Sequence, residues 1–162
     1  MRGVNSSSRR AMSYREEEVI RQMGSTIHRY RQIEEGDHIG VAVSGGVDSL
    51  TLLHLLTERK KRVPITYELV ALHVHLGFDQ EGYRPLEDYL SRRGYRYRID
   101  VTDIGRIAHG SENKENPCWL CSRLRRKRLF EMAHQLGCNK VALAHTRDDI
   151  IETLLLNMFY SG

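Results

Sequence analysis

Four short runs rich in β-branched and aromatic residues, HIGVAVS (38–44), YELVALHVHL (67–76), YRYRIDV (95–101) and KVALAH (140–145), alternate with longer stretches of helical period. Strands separated by helices cannot close as hairpins. They pair in parallel through right-handed crossovers, and the intervening helices cover both faces of the sheet. The expected fold is an α/β class domain with an open, doubly wound parallel sheet, whose ligands belong at the carboxyl ends of the strands. An amphipathic helix over 14–34 precedes it, started by the capping-box spacing of Ser13 and Glu16. Further helices are expected over VDSLTLLHLL after Gly46, over 83–94, from Pro117 to the glycine stop at Gly137, and over DDIIETLLLNMFY. Residues 102–117 read as a polar connection.

At 162 residues the chain has the length of one domain. Residues 1–13, basic and serine-rich with no apolar stretch behind them, read as a flexible tail rather than a secretory signal. The domain is expected over 14–162, cut short at its end, because so apolar a last helix usually leads to another strand. No apolar run approaches the roughly 18 residues of a membrane span. Three cysteines without a signal point to thiol or metal chemistry in the cytoplasm, away from membranes, rather than a disulfide framework. A net charge of +4 permits a polyanionic partner.

Between the first strand and its helix lies SGGVDS (44–49). Gly45 and Gly46 admit conformations closed to other residues and let amides approach an anion with no Cβ in the way. Ser44 and Ser49 add hydroxyls, and the helix points its positive end at the same spot. Such a loop suits phosphate. Asp48 suits it with magnesium in between, or as a helix cap. No Lys-Ser or Lys-Thr follows at Walker A spacing, which points away from γ-phosphoryl transfer. The plainer alternative is a glycine turn joining strand to helix.

Other groups are read with similar alternatives. Cys118 and Cys121 open a helix as Cys-x-x-Cys, which suits a redox couple, a sulfur carrier, half a zinc site, a cluster ligand pair or two inert buried thiols. Asp148 and Asp149 are adjacent and do not share a helix face, so one caps while the other faces the crevice, or both satisfy the dipole. His73 and His75 share a face near the end of the second strand, and His145 ends the fourth. Nucleotide contact and packing are both open to them. RLRRKR (123–128) gathers five cations on barely two turns, a surface for RNA phosphates or a solvated face. Trp119 and Phe130 read as packing residues.

SGGVDS resembles the Ser-Gly-Gly-x-Asp-Ser signature of the PP-loop ATP pyrophosphatase superfamily, whose members split ATP between the α and β phosphates and pass AMP to a carbonyl oxygen. PCWLCSRLRRKRLF (117–130) and LGCNKVALAHTRDDIIETLLLNMFYSG (136–162) are similar to its tRNA 2-thiocytidine synthetase branch, and the likeness extends over most of 35–162. The resemblance implies an adenine nucleotide alpha hydrolase-like fold and ATP-dependent thiolation of a pyrimidine carbonyl in tRNA, cytidine C2, with a sulfide or persulfide donor. It implies that Ser44, Gly45, Gly46 and Ser49 hold the departing pyrophosphate, while Asp48 and one of Asp148 and Asp149 position magnesium. His73 and His145 are carried as nucleotide-binding residues. Cys118 and Cys121 would be two ligands of a 4Fe-4S cluster. The branch's third cysteine has no counterpart, because Cys138 falls in a helix-to-strand turn. Val47 stands where the branch commonly has lysine, and Thr146 where it often has histidine. The alternatives are an adenylating enzyme with a nitrogen nucleophile, lysidine-forming or amidating, and a nucleotide-binding fragment without catalysis. A homodimer is the assembly carried forward.

Overall fold

The computed structural model describes residues 14–114 and 116–160, so the tail read over 1–13 lies outside the described residues. By internal contacts the chain divides into two units, Met1–Ile33 and Glu34–Gly162. The first contains helix α1 (Tyr14–Arg29), with Glu16 and Glu17 in its first turn and His28 and Arg29 in its last, charges that match the helix dipole. It ends earlier than its apolar period suggests, because Arg31 turns into the left-handed region at φ 48°.

The second unit carries β1 (Asp37–Ala42), α2 (Val47–Lys60), β2 (Tyr67–His75), α3 (Arg84–Arg92), β3 (Tyr97–Val101), α4 (Ile104–Ala108), α5 (Pro117–Gln135), β4 (Lys140–Ala142) and α6 (Arg147–Tyr160). The strands form one sheet in the order β3-β2-β1-β4. All pairings are parallel, with Val41 opposite both Ala71 and Ala142. The chain leaves β1 toward β2 on one side and returns to it as β4 on the other. The crevice of a doubly wound sheet therefore opens between β1 and β4.

Alternation sorts the core into two layers. On one face Tyr67 donates its hydroxyl to the Leu56 carbonyl at 2.8 Å, fastening β2 to α2. On the other, Val70, Leu72 and Val74 pack with Ile104 and with Leu129, Met132 and Ala133 of α5. Gly40 leaves room for the Leu72 side chain in this layer, since a Cβ there would meet Leu72 Cδ1 at 2.6 Å. Asp100 holds α5 to β3 by an ion pair with Arg128, at 2.5 Å, while Arg98 of its own strand pairs with the same carboxylate at 2.8 Å.

Two sequence expectations are corrected. The connection 102–117 contains α4, a helix of five residues whose Asp103 start has no side-chain cap. Tertiary contact makes it: Ile104 and Ala108 are buried, and the Gly105 amide donates to the Leu76 carbonyl at 2.7 Å. The fourth strand stops at Ala142 instead of His145, because β1 ends opposite it and Val43 turns its amide to the Leu72 carbonyl. Residues 143–145 are thereby freed to edge the crevice.

The β1–β4 ladder is short, and a polar clamp extends it. Asp37, 3% exposed, accepts from Lys140 Nζ at 2.6 Å, Asn139 Nδ2 at 2.8 Å and the Glu34 amide at 2.6 Å. Burial pushes the Asp37 carboxyl up, but the bonds from Lys140, Glu34 and Asn139 outweigh it and hold it below its ordinary 3.8. A carboxyl depressed on folding stabilises fully above its unfolded value and loses that contribution as pH falls through the folded one. Asp37→Asn should cost about 2 kcal/mol at pH 7, the low end for a charged bond because water reaches Lys140. Urea unfolding at several pH values should show the gap to wild type closing below pH 3.8.

Candidate functional site

The strand β1 delivers the chain to a turn that only glycine enters easily. Gly45 has φ +93°, with nothing within 4 Å of an added Cβ, so backbone conformation rather than crowding demands glycine there. Gly46 then precedes α2 with no side-chain cap. The amides of Val47 and Asp48, first in the helix, have no acceptor among the described residues and face outward with the positive end of α2. The serines brace this turn. Ser49 Oγ donates to the Gly46 carbonyl at 2.9 Å and accepts from the Ser44 amide at 3.1 Å. Ser44 Oγ accepts from the Gly46 amide at 3.2 Å and lies 3.2 Å from Ser49 Oγ. Main-chain amides, more than hydroxyls, are thus the donors held ready for an anion.

Beside the turn lies a cleft of about 510 Å3 at the carboxyl ends of β1, β2 and β4. It brings together Ser44, Ser49, His73, His75 and His145, and α5 contributes Ser122, Arg125, Arg126 and Leu129. The Arg-rich run therefore does not form one surface. Arg125 and Arg126 turn into the cleft, Arg128 is bound to Asp100 and Glu131, and Arg123 lies over the Trp119 ring. The Arg128 guanidinium is raised by its bonds to Glu131 and Asp100. Among the described residues no carboxylate pairs with Arg125 or Arg126. Asp79, also in the cleft wall, turns its carboxylate to the amides of Glu81 and Gly82. The cleft is therefore electropositive.

His73 Nδ1 stands 2.7 Å from the Val43 carbonyl oxygen, which can only accept, so Nδ1 carries the hydrogen and Nε2 is left as an acceptor. Burial lowers the His73 pKa below its ordinary 6.5, and His75 and Arg125 lower it further against the Val43 bond. The ring is neutral at pH 7. His75 Nε2 is likewise engaged, at 2.8 Å from the Asp79 carbonyl.

The aspartates divide their work. Asp149 Oδ2 accepts from the Thr146 amide at 2.6 Å and hydroxyl at 2.8 Å, and the Asp149 amide returns a bond to Thr146 Oγ1 at 3.3 Å. This reciprocal cap starts α6, and its bonds hold the Asp149 carboxyl below its ordinary value. Asp148, in the same exposed turn, and Asp48, in the first turn of α2, cap nothing.

Cys118 and Cys121 lie in the first turns of α5, where Asn116 Oδ1 caps the Trp119 amide at 3.1 Å and Pro117 occupies a position that needs no donor. Cys118 is exposed, so it is not an inert core thiol. Cys118, Cys121, Ser122, Arg125 and Leu129 follow helical spacing, one stripe that passes from the thiols into the cleft wall. That spacing was available in the sequence and is the signal by which Ser122 and Arg125 could have been found. Cys138 lies past the far end of this 19-residue helix, about 28 Å long. It packs beside the Leu72 core, where burial raises its thiol pKa. Among the described residues no three His, Cys, Asp or Glu side chains gather as a metal cage. The cysteine pair thus offers two ligands and no third.

Trp119 and Phe130 are 51% and 49% exposed, which corrects their reading as packing residues. Among the described residues no helix is long and apolar enough to cross a membrane.

A family model of the PP-loop domain matches residues 15–161. The chain belongs to the PP-loop domain family. The tRNA-cytidine(32) 2-sulfurtransferase of Citrifermentans bemidjiense is 43% identical over 147 residues, 89% of this chain and 57% of that protein. A protein of the same name from Syntrophotalea carbinolica is 48% identical over 145 residues, 86% of this chain and 54% of that protein. The chain spans about half the length of the curated relatives it matches. Among solved structures, the U34-tRNA thiolase NcsA from Methanococcus maripaludis, with its 4Fe-4S cluster, aligns over 90% of this chain and 50% of its own, with a TM-score of 0.76 and 24% identity. That likeness shows the fold, the adenine nucleotide alpha hydrolase-like sheet expected from SGGVDS.

Replacing Gly45 of this PP-loop domain by alanine puts a side chain at φ +93°, at about 1–2 kcal/mol, and a turn that relaxes swings the α2 amides away. Calorimetry should show inorganic pyrophosphate binding weakened about 5- to 30-fold in Gly45→Ala.

Proposed function

We propose that the chain is the nucleotide-binding part of an ATP-dependent tRNA thiolation enzyme that acts in the cytoplasm and activates a pyrimidine carbonyl, cytidine C2, for exchange of oxygen by sulfur. The single observation that carries this reading is a phosphate turn beside an electropositive cleft whose wall shares helix α5 with the Cys-x-x-Cys pair, Cys118 exposed and Cys121 half-buried. The names of the relatives support it.

The chemistry has two halves. The carbonyl oxygen attacks the α-phosphorus, the bond to the β-phosphate breaks, and pyrophosphate leaves. Sulfur then attacks the same carbon, and the carbon–oxygen bond breaks with AMP as leaving group. With sulfide the exchange involves no change of oxidation state. With a persulfide, a thiol must afterwards take the sulfur–sulfur bond.

The Gly45, Val47 and Asp48 amides bind the departing pyrophosphate, with Ser44 and Ser49 holding the turn rigid. Arg125 and Arg126 draw the triphosphate into the cleft and neutralise charge there. His73, neutral with Nε2 as acceptor, and His145 line the nucleotide side. Asp48 and Asp148 would hold a magnesium ion, which when bound neutralises charge on the breaking bond; two carboxylates plus phosphate oxygens are an ordinary donor set for it. Asp149 serves as the cap. Cys118 and Cys121 would hold a 4Fe-4S cluster in part, which when bound supplies a site to carry sulfur. Among the described residues no further ligand joins them.

Asp48→Ala should cut ATP to AMP turnover with unmodified tRNA by about 100-fold or more, with an unchanged far-UV spectrum. Undiminished turnover would exclude the assigned role. Anaerobically prepared protein should contain iron and acid-labile sulfide, lost in Cys118→Ser. Colourless, iron-free protein would favour the nitrogen-nucleophile enzymes instead.

A further inference from the structure

The outer side of α5 holds a second groove, about 400 Å3, lined by Trp119, Ser122, Arg123, Arg126, Lys127 and Phe130. We infer that this groove is a stacking platform for an unpaired stretch of RNA, with bases on the Trp119 and Phe130 rings and phosphates on Arg123 and Lys127, continuous with the nucleotide cleft.

Five observations converge. Trp119, Arg123, Arg126 and Phe130 follow spacing i, i+4, i+7, i+11 and share one stripe of the helix. The two rings stand about half exposed, one near each end of that stripe, about 16 Å apart by helical rise. That is the length of about five stacked nucleotides at 3.4 Å each. Arg123 lies 5.1 Å over the Trp119 ring centroid, a cation placed for a phosphate beside a base already stacked. Lys127 has only a long, exposed ion pair, 3.9 Å from Glu131, and water or phosphate can replace it.

The fifth observation is the join. Ser122 and Arg126 line both the groove and the cleft, so a strand on the groove needs to turn only one base inward to reach the nucleotide. Aromatic faces read splayed bases, whereas a duplex keeps its bases covered and offers only phosphates. The occupant that matches both rings and cations is therefore single-stranded. The inference rests on the proposed reading of an RNA substrate, and it adds which side chains receive it.

Trp119 is the only tryptophan of the chain, so its fluorescence reports the platform directly. A short oligocytidylate titrated into the protein saturated with ATP should quench that fluorescence, while an RNA duplex of equal length should not. Phe130→Ala, which keeps the reporter, should weaken oligocytidylate binding about five-fold or more. Arg123→Ala should lower the slope of log affinity against log salt by about 0.7. Binding followed by anisotropy should be lost in Trp119→Ala and retained in Trp119→Phe. Asp48→Ala should bind the oligomer as wild type does, so failure of the adenylation chemistry and failure of the platform read out separately. Unquenched fluorescence, equal response to duplex, or unchanged affinity in Phe130→Ala would overturn the platform.

Discussion

The clamp around Asp37 is the contact on which the site depends. The β4 strand touches β1 over only Lys140–Ala142, and such a short ladder is weak by itself. Asn139 adds a rung in both directions, its amide donating to the His38 carbonyl and its Oδ1 accepting from the His38 amide, each at 2.9 Å. Lys140 then closes on the buried Asp37 carboxylate. Without β4 beside β1 there would be no reversal of strand order, and therefore no crevice between the glycine turn and residues 143–145. A polar clamp at the amino ends of the strands thus fixes the cleft at their carboxyl ends.

Helix α5 divides its surface by chemistry. Leu129, Met132 and Ala133 seal the sheet, Arg128 anchors sideways to Asp100, and Arg125 and Arg126 face the cleft. Two guanidiniums close together on one wall repel each other, and no carboxylate among the described residues relieves them. A polyanion would do so on binding.

Most of the fold was legible because its signals are local. The apolar run at 67–75 and the helix punctuation at Pro117 and Gly94 fix elements within a few residues of where the structure has them. The glycine turn was legible too, since φ +93° at Gly45 is a requirement that only a few residue types meet. What the sequence hid is direction. RLRRKR reads as a uniform cationic run, yet a helix turns each residue 100° from the last, and the run divides among cleft, anchor and outer groove. Trp119 and Phe130 look like core because of their size, and only the packing of Leu129 and Met132 shows that the inward side of α5 was already taken. The five-residue α4 has no local signature at all; contact with Leu76 and the core creates it.

Because thiols, cleft wall and outer groove all ride on α5, they behave as marks on a single screw. Adding one residue between Cys121 and Ser122 would advance the thiols about 1.5 Å and rotate them about 100° relative to everything downstream, parting the cysteine pair from the cleft wall without altering either. The count of residues from cysteine to arginine is therefore as much a part of the machinery as the residues themselves.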